Sequence, residues 1–174
     1  DVRSETVDAV ALSFEISEDM KDNYAFTPGQ YLTLRAKING EDVRRSYSIC
    51  SPVGSETLDV GVKWIEGGRF SDHAQRLKPG DKVQVMTPQG RFTAPIGGAH
   101  DYLLLAAGSG VTPMISIATS VLEGEPDSTV TMCYANRTTD SMMFREALKS
   151  GFYDLQSARD AYRLMSAEEG GMHA

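Results

Sequence analysis

The chain is poor in cysteine, histidine and tryptophan. Its 174 residues include 2 cysteines, 3 histidines and 1 tryptophan. Cys50 and Cys133 lie far apart and no Cys-x-x-Cys pair occurs, so the sequence offers no ligand set for a zinc or iron–sulfur centre, and we predict no metal site. Unpaired cysteines of this kind usually lie reduced in the core of a cytosolic protein, so we expect a cytoplasmic location.

Positive charge and long apolar segments are also scarce. Lysine and arginine total 17 against 24 acidic residues, a net charge of −7, which argues against a nucleic-acid partner. The longest apolar run, YLLLAA at residues 102–107, is far shorter than the roughly 20 residues of a membrane-spanning helix, so we expect no membrane span. The absence of a Gly-x-Ser-x-Gly elbow and of a P-loop lysine excludes those routes to ester and ATP hydrolysis.

Short alternating segments dominate the first half of the chain. Apolar and polar residues alternate within residues 6–16, 30–38 and 57–64, with Gly and Pro turns between them, and Asn39-Gly40 predicts a hairpin. This pattern favours a small antiparallel β-barrel. One helix is predicted in GGRFSDHAQRL, with Ser71 as its N-cap and Phe70, Ala74 and Leu77 on its buried side.

The pattern changes near residues 96–99. YLLLAA predicts a strand buried on both faces. A Gly-rich turn, a helix, the strand STVTMCYAN and a second helix, capped by Asp140 or Ser141, follow. Strand and helix in alternation predict an α/β unit with a parallel sheet. We therefore predict two domains, residues 1–97 and 98–174. From about residue 149 the chain is unassigned, apart from a predicted helix at residues 155–165.

The Gly-rich turn AAGSGVTPM stands between a strand and a helix, where free N–H groups and the positive helix end attract anions. Gly108 and Gly110 would let a ligand approach the backbone, Thr112 would cap the helix, and Pro113 would occupy its first position. The spacing lacks the third glycine of the dinucleotide fingerprint, so a tight turn without a ligand stays open as an alternative.

Two arginines are candidates for binding the phosphate groups of a dinucleotide. In RRSYSICS, alternation places Arg45 and Tyr47 on one strand face, where a guanidinium suits a diphosphate and a tyrosine suits a flat ring. Arg137 follows the second strand of the α/β unit, where a cation would favour an NADP 2′-phosphate. A surface ion pair for Arg45 and a solvated loop position for Arg137 remain alternatives.

Three ordered motifs, RRSYSICS, GGRFS and GSGVTPM, resemble those of the ferredoxin–NADP reductase superfamily, and residues 1–148 are similar to reductases of multicomponent oxygenases that degrade aromatic compounds. The resemblance implies a Greek-key FAD-binding barrel followed by a parallel-sheet nucleotide-binding domain. That domain is incomplete here, because the later Cys-Gly-Pro motif is missing. A 2Fe–2S domain, which many of these reductases carry, is also absent from the chain.

The resemblance also implies roles for individual residues. Arg45 would hold the FAD pyrophosphate, Tyr47 would lie against the flavin and Ser48 would sit near its N5 atom. Val62 and Lys63 would line the flavin or adenosine, the GGRFS segment would cradle the pyrophosphate, and the Gly-rich turn would shape the nicotinamide pocket. The implied cofactor-binding residues are Arg45, Ser46, Tyr47, Ser48, Val62, Lys63, Gly68, Arg69, Phe70, Ser71, Gly108, Gly110, Thr112, Pro113 and Arg137; Tyr47, Ser48 and Thr112 are the implied catalytic ones.

The activity implied is transfer of a hydride from NADPH, with NADH possible, onto FAD, and transfer of single electrons to an iron–sulfur or oxygenase component. The alternative is a FAD- or nucleotide-binding module without catalysis.

Overall fold

A computed structural model of the chain describes residues 1–154 and 164–165. The strands are β1 (Val2–Thr6), β2 (Ala9–Glu15), β3 (Tyr31–Ile38), β4 (Glu41–Ser48), β5 (Thr57–Lys63), β6 (Gln84–Val85), β7 (Asp101–Ala107), β8 (Thr129–Ala135) and β9 (Leu164–Met165), and the α-helices are α1 (Arg69–Ala74), α2 (Val111–Gly124) and α3 (Arg145–Asp154). Short 3-10 helices cover Glu18–Tyr24, Gly108–Gly110 and Thr139–Ser141.

The first half folds into two antiparallel sheets with strand orders β1-β2-β5 and β4-β3-β6. An isolated bridge between Ile49 and Val60 joins them. Leucine, isoleucine and valine from both sheets, with Phe70 of α1, form one core. The antiparallel prediction is confirmed, with the difference that the described strands form two sheets over a shared core rather than one closed barrel.

The β3–β4 hairpin has the turn that its sequence demands. Asn39 and Gly40 both have positive φ, 51° and 85°. A type I′ turn, the two-residue hairpin turn whose twist matches that of the strands, requires positive φ at both central positions. Val43, Arg45 and Tyr47 stand opposite Ala36, Leu34 and Leu32 across the ladder. This register fixes the face of β4 that each side chain occupies.

The second half is the predicted α/β unit. β7 pairs in parallel with β8, and β8 with β9, and α2 connects β7 to β8. Leu104, Val130 and Met132 pack with Val111, Ile115, Ala118 and Val121 of α2 in a second core. The helix predicted at residues 155–165 is wrong at Leu164 and Met165, which form β9, and its other positions lie outside the described residues.

Two further expectations about the second half are wrong. Leu103 and Leu105 are each 63% exposed, so β7 is not buried on both faces; side chains alternate across a strand, and α2 packs on one face only. Asp140 and Ser141 do not cap the last helix, which begins at Arg145, because both belong to a separate 3-10 turn.

No helix within residues 1–154 and 164–165 has the length and apolarity of a membrane span. Both cysteines are free; Cys50 is buried, which raises its pKa, whereas Cys133 is only half-buried. The same part of the chain brings no three metal-binding side chains together.

Glu125, at the end of α2, anchors the segment that connects the two halves. Its carboxylate, only 1% exposed, accepts hydrogen bonds from Gly97 N at 2.7 Å, from the Ser128 hydroxyl and from the Tyr102 hydroxyl. The Gly97 N–H and the Ser128 hydroxyl are the main reasons why the pKa of Glu125 lies below its ordinary value. The carboxylate therefore holds the connection against the end of the parallel sheet.

Replacing Glu125 with glutamine is expected to lower the stability at neutral pH, because one amide oxygen cannot replace both carboxylate oxygens as acceptors. The folded-state pKa is depressed, so the carboxylate stabilises the fold above its ordinary pKa of 4.5 and loses this effect as the pH falls through the folded-state value. The gap between wild type and E125Q in urea unfolding should shrink at acidic pH. E123Q, at an exposed position of the same helix, serves as control. A pH-independent gap would contradict the prediction.

Candidate functional site

The two faces of β4 separate the two arginines of RRSYSICS. On the outer face Arg44 reaches Asp42 at 3.4 Å, and Asp42 also pairs with Arg35 at 2.7 Å. Arg45 lies on the inner face with Tyr47, and its guanidinium donates to the carbonyl of Arg44 at 2.7 Å. No carboxylate lies within ion-pair distance of Arg45 in the described part of the chain. Its guanidinium is therefore available to an anion from outside.

Helix α1 lies along the strand that carries Arg45. The rings of Tyr47 and Phe70 are 5.7 Å apart, and Arg69 pairs with Glu41 at 2.6 Å. Glu41 and Tyr47 flank Arg45 along β4, so the first turn of α1 contacts β4 on both sides of the arginine. Burial raises the pKa of Tyr47, with Arg45 acting in the opposite direction, so the phenol stays protonated at neutral pH.

The loop before α1 is held together from within. The Ser71 hydroxyl donates to Gly68 O at 3.0 Å and accepts from Ile65 N at 3.2 Å. A Cβ at Gly68 would lie 2.4 Å from the Ser71 Oγ, so the tight loop requires glycine. The prediction of Ser71 as N-cap is wrong, because Gly68 caps the helix and Ser71 stands inside it.

The Gly-rich turn opens onto free space. An added Cβ at Gly108 or Gly110 would meet nothing within 4 Å. The buried Tyr134 donates from its hydroxyl to Gly108 O at 3.0 Å and fixes the turn from below. The helix starts at Val111, so Thr112 is not its cap and Pro113 is not its first position; Thr112 instead donates to Ser109 O at 3.0 Å.

A polar pair follows β8 beside this turn. Arg137 is exposed and makes no ion pair among the described residues. The Nδ2 of Asn136 is buried and makes no hydrogen bond of normal geometry in the described structure. Burial raises the pKa of Tyr134, but the Asn136 side chain lies beside the Tyr134 hydroxyl and acts to lower that pKa. The amide therefore already has a polar neighbour in the protein, at the end of β8 and next to Arg137.

Three other predicted residues already contact other parts of the protein. Val62 is fully buried in the first core. Ser46 lies on the outer face of β4, with its hydroxyl 3.0 Å from that of Thr33. Lys63 bonds Asp8 Oδ2 at 3.2 Å and Ser141 O at 3.3 Å, so it joins the two halves.

The residues present fit a dinucleotide cofactor. Arg45 offers an unpaired guanidinium beside a half-buried aromatic ring and the start of α1, and the Gly-rich turn offers open backbone. Arg137, exposed and without an ion pair among the described residues, adds a cation after β8. Because the Ser71 hydroxyl is already engaged, the loop before α1 would contribute backbone N–H groups.

Family models match both halves. Residues 2–94 match a family described as an oxidoreductase FAD-binding domain, and residues 104–170 match an oxidoreductase NAD-binding domain. The chain is 47% identical to a component of the 1,2-phenylacetyl-CoA epoxidase of Escherichia coli over 150 residues, which are 84% of this chain and 42% of that protein.

A second curated relative and the protein of a solved structure are reductases. The ferredoxin reductase component of 3-ketosteroid-9-alpha-monooxygenase from Rhodococcus rhodochrous is 37% identical over 86% of this chain and 43% of its own length. The chain thus spans less than half the length of these relatives. A ferredoxin–NADP+ reductase from Plasmodium falciparum has the same fold, with a TM-score of 0.78 and 19% identity over 98% of this chain and 70% of that one. The chain belongs to the ferredoxin–NADP reductase superfamily of FAD- and NAD(P)-binding oxidoreductases.

Proposed function

We propose that this chain is the cofactor-binding part of a reductase that passes a hydride from NADPH to FAD and sends electrons on to the iron–sulfur centre of an oxygenase system. The observation that carries the proposal is the free guanidinium of Arg45, flanked on its strand by contacts with α1. FAD, when bound, would accept two electrons as a hydride and release them one at a time. The protein supplies binding, orientation and the exclusion of water.

On the FAD side, Arg45 holds the pyrophosphate through charge-assisted hydrogen bonds, and the backbone around Gly68 and Arg69 completes the anion site. Tyr47, backed by Phe70, covers a flat part of the cofactor. Ser48 ends β4 directly after Tyr47, and we place it near the reacting edge of the flavin. This assignment of the first 97 residues to FAD keeps the predicted domain boundary.

On the nicotinamide side, the Gly108–Gly110 turn and Pro113 border the pocket, and Thr112 fixes its shape through Ser109. Arg137 pairs with the 2′-phosphate. Cationic recognition of this phosphate makes NADPH the preferred donor.

The electron acceptor is proposed from similarity. Both curated relatives carry oxygenase names, a phenylacetyl-CoA epoxidase component and a monooxygenase reductase component. We therefore propose an oxygenase component as acceptor, with aromatic degradation through phenylacetyl-CoA as the pathway. The proposed location is the cytoplasm, where unpaired thiols stay reduced.

Anaerobic mixing of the FAD-loaded chain with NADPH tests the function, and we expect bleaching of the flavin absorbance band. In R137A the rate at subsaturating NADPH should fall roughly 10- to 100-fold, because about 1.5–3 kcal/mol of charged hydrogen bonding is lost, while the NADH rate stays unchanged. R91A, which removes an exposed arginine in the first half, is the control.

The outcomes of this experiment distinguish a reductase from a flavin-binding module without catalysis. FAD binding without bleaching would support the alternative, a flavin-binding module without catalysis. A protein that takes up no FAD would remove both readings. Equal NADPH and NADH rates in the wild type, unchanged in R137A, would discard the phosphate role of Arg137 and leave the reductase assignment intact.

A further inference from the structure

The two halves meet where the centre of the β1-β2-β5 sheet carries small residues. Ala9 and Ala11 on β2 and Gly61 on β5 share the outer face of the β1-β2-β5 sheet, and Ala11 stands directly opposite Gly61 in the ladder. Both alanines are fully buried, and they belong to the core of the second half rather than to that of the first. The middle of this sheet is therefore covered on both faces.

Three side chains of the second half fill the space left at Gly61. A Cβ built there would lie 2.7 Å from Met143 Cε, 2.8 Å from Thr112 Cγ2 and 3.0 Å from Phe144 Cζ. Real Cβ atoms essentially never lie as close to another atom as the first two of these distances. Met143 Cε is the end of a flexible side chain and can move aside, but Thr112 Cγ2 belongs to a stiff β-branched side chain at the start of α2, so a methyl group at residue 61 pushes against the second half. Gly61 has no positive φ, so its backbone conformation does not explain the glycine.

Two hydrogen bonds hold the same junction on its polar side. Phe144 N donates to Glu5 Oε2 at 3.1 Å, and Lys63 Nζ donates to Ser141 O at 3.3 Å. Phe144 has a φ of 59°, a conformation that costs a bulky residue free energy and persists only where its surroundings hold it. The segment from Ser141 to Phe144 is thus fixed to β1 and β5 and follows directly on the loop that contains Arg137.

We propose that Gly61 is a positioning residue that sets how closely the nucleotide turn approaches the flavin side. Thr112 stands in the first turn of α2, directly after the Gly-rich turn, and Gly61 is its neighbour on the strand of the first half. The depth of this contact fixes the separation between the two proposed cofactor sites. This inference rests on the proposed function, because the separation matters only if a hydride crosses it.

Replacing Gly61 with alanine should leave FAD affinity within about twofold of wild type, because Arg45 and Tyr47 lie on the other sheet. At saturating NADPH the rate of flavin bleaching should fall roughly tenfold, since a displacement approaching 1 Å costs on the order of 100-fold in a reaction that depends on alignment. Adding Thr112→Ser removes the Cγ2 atom and should restore part of the rate. Such recovery marks a direct coupling between the two positions.

Gly124→Ala is the matched control. Its new Cβ would lie 2.6 Å from Ile96 Cγ2, an equally tight contact, but Ile96 is a partly exposed side chain of the connecting segment and can move away. We expect the wild-type bleaching rate in this variant. Equal losses in the two variants would show a general loss of stability and would overturn the proposal.

A second measurement needs no cofactor. In the FAD-free chain, the Phe144 amide, bonded to Glu5, should exchange its hydrogen faster in G61A than in wild type, and at the wild-type rate in G124A. If wild type is not bleached by NADPH, the proposed function fails, and faster exchange in G61A still supports the junction. Unchanged exchange and unchanged bleaching in G61A overturn it. Should G61A not fold, M143A tests the same contact, and unchanged exchange at Phe144 there counts against the proposal.

Discussion

Replacing Arg45 with alanine is expected to weaken FAD binding roughly 10- to 100-fold, the largest change in affinity that a single substitution in this chain should produce. The physical reason is the loss of a guanidinium whose hydrogen bonds to a diphosphate are charge-assisted, worth about 1.5–3 kcal/mol. The arginine makes no ion pair in the described structure, so its removal leaves no protein carboxylate without a partner. Titration of the FAD-free chain, followed by flavin fluorescence, measures the affinity.

Arg44 supplies a matched control one residue away. It carries the same charge on the same strand but faces outward, beside Asp42 at 3.4 Å. R44A should change FAD affinity less than about twofold, because the long-range effect of one exposed charge is screened by salt. If R45A and R44A weaken binding equally, the effect is one of net charge, and the pyrophosphate is not held by Arg45.

The position of Arg45 could be predicted because it depends on local rules. Side chains alternate along a strand, and Asn39-Gly40 fixes the hairpin that sets the register of β4. These rules separate Arg45 and Tyr47 from Arg44 and Ser46 before any tertiary contact is known. The strand–turn–helix order around Gly108 is local in the same sense, and the parallel sheet confirms it.

The errors concern what each side chain contacts in three dimensions. Ser71 reads as a helix cap, but its hydroxyl is already bonded to Gly68 O and Ile65 N in a loop too tight to infer from spacing. The burial of Val62 depends on which face of β5 meets the first core. The close fit at Gly61 requires the packing of distant segments.

The exposed face of β7 shows the same limit. An apolar run such as YLLLAA predicts burial on both faces, since strands covered on both faces have such runs. The sequence of the strand does not show how many of its faces another element covers. In the described residues Leu104 faces α2, and Leu103 and Leu105 do not. The sequence thus predicts that this segment is an apolar strand, but it does not predict which element packs against each face.

Gly29 lies in a turn that closes the first half. Gln30 N donates to Thr27 O at 3.1 Å, Pro28 and Gly29 occupy the two central positions, and Gly29 has a φ of 98°, as a type II turn requires. Ala94 N donates to Pro28 O at 3.0 Å, so the turn is held directly against residues 92–94. A Cβ at Gly29 would lie 2.2 Å from Phe92 O, a backbone atom that cannot rotate away.

Replacing Gly29 with alanine is therefore expected to lower the free energy of unfolding by roughly 3–5 kcal/mol, combining the strain of a positive φ with the displacement of a packed backbone segment. In thermal unfolding this corresponds to a fall in Tm of about 10 °C for a chain of this size. Gly54→Ala isolates the first contribution, because Gly54 has a φ of 86° but nothing within 4 Å of an added Cβ. It should cost about 1–2 kcal/mol. If G29A is no less stable than G54A, then residues 92–94 move aside at little cost, and the close approach is not what requires glycine at this position.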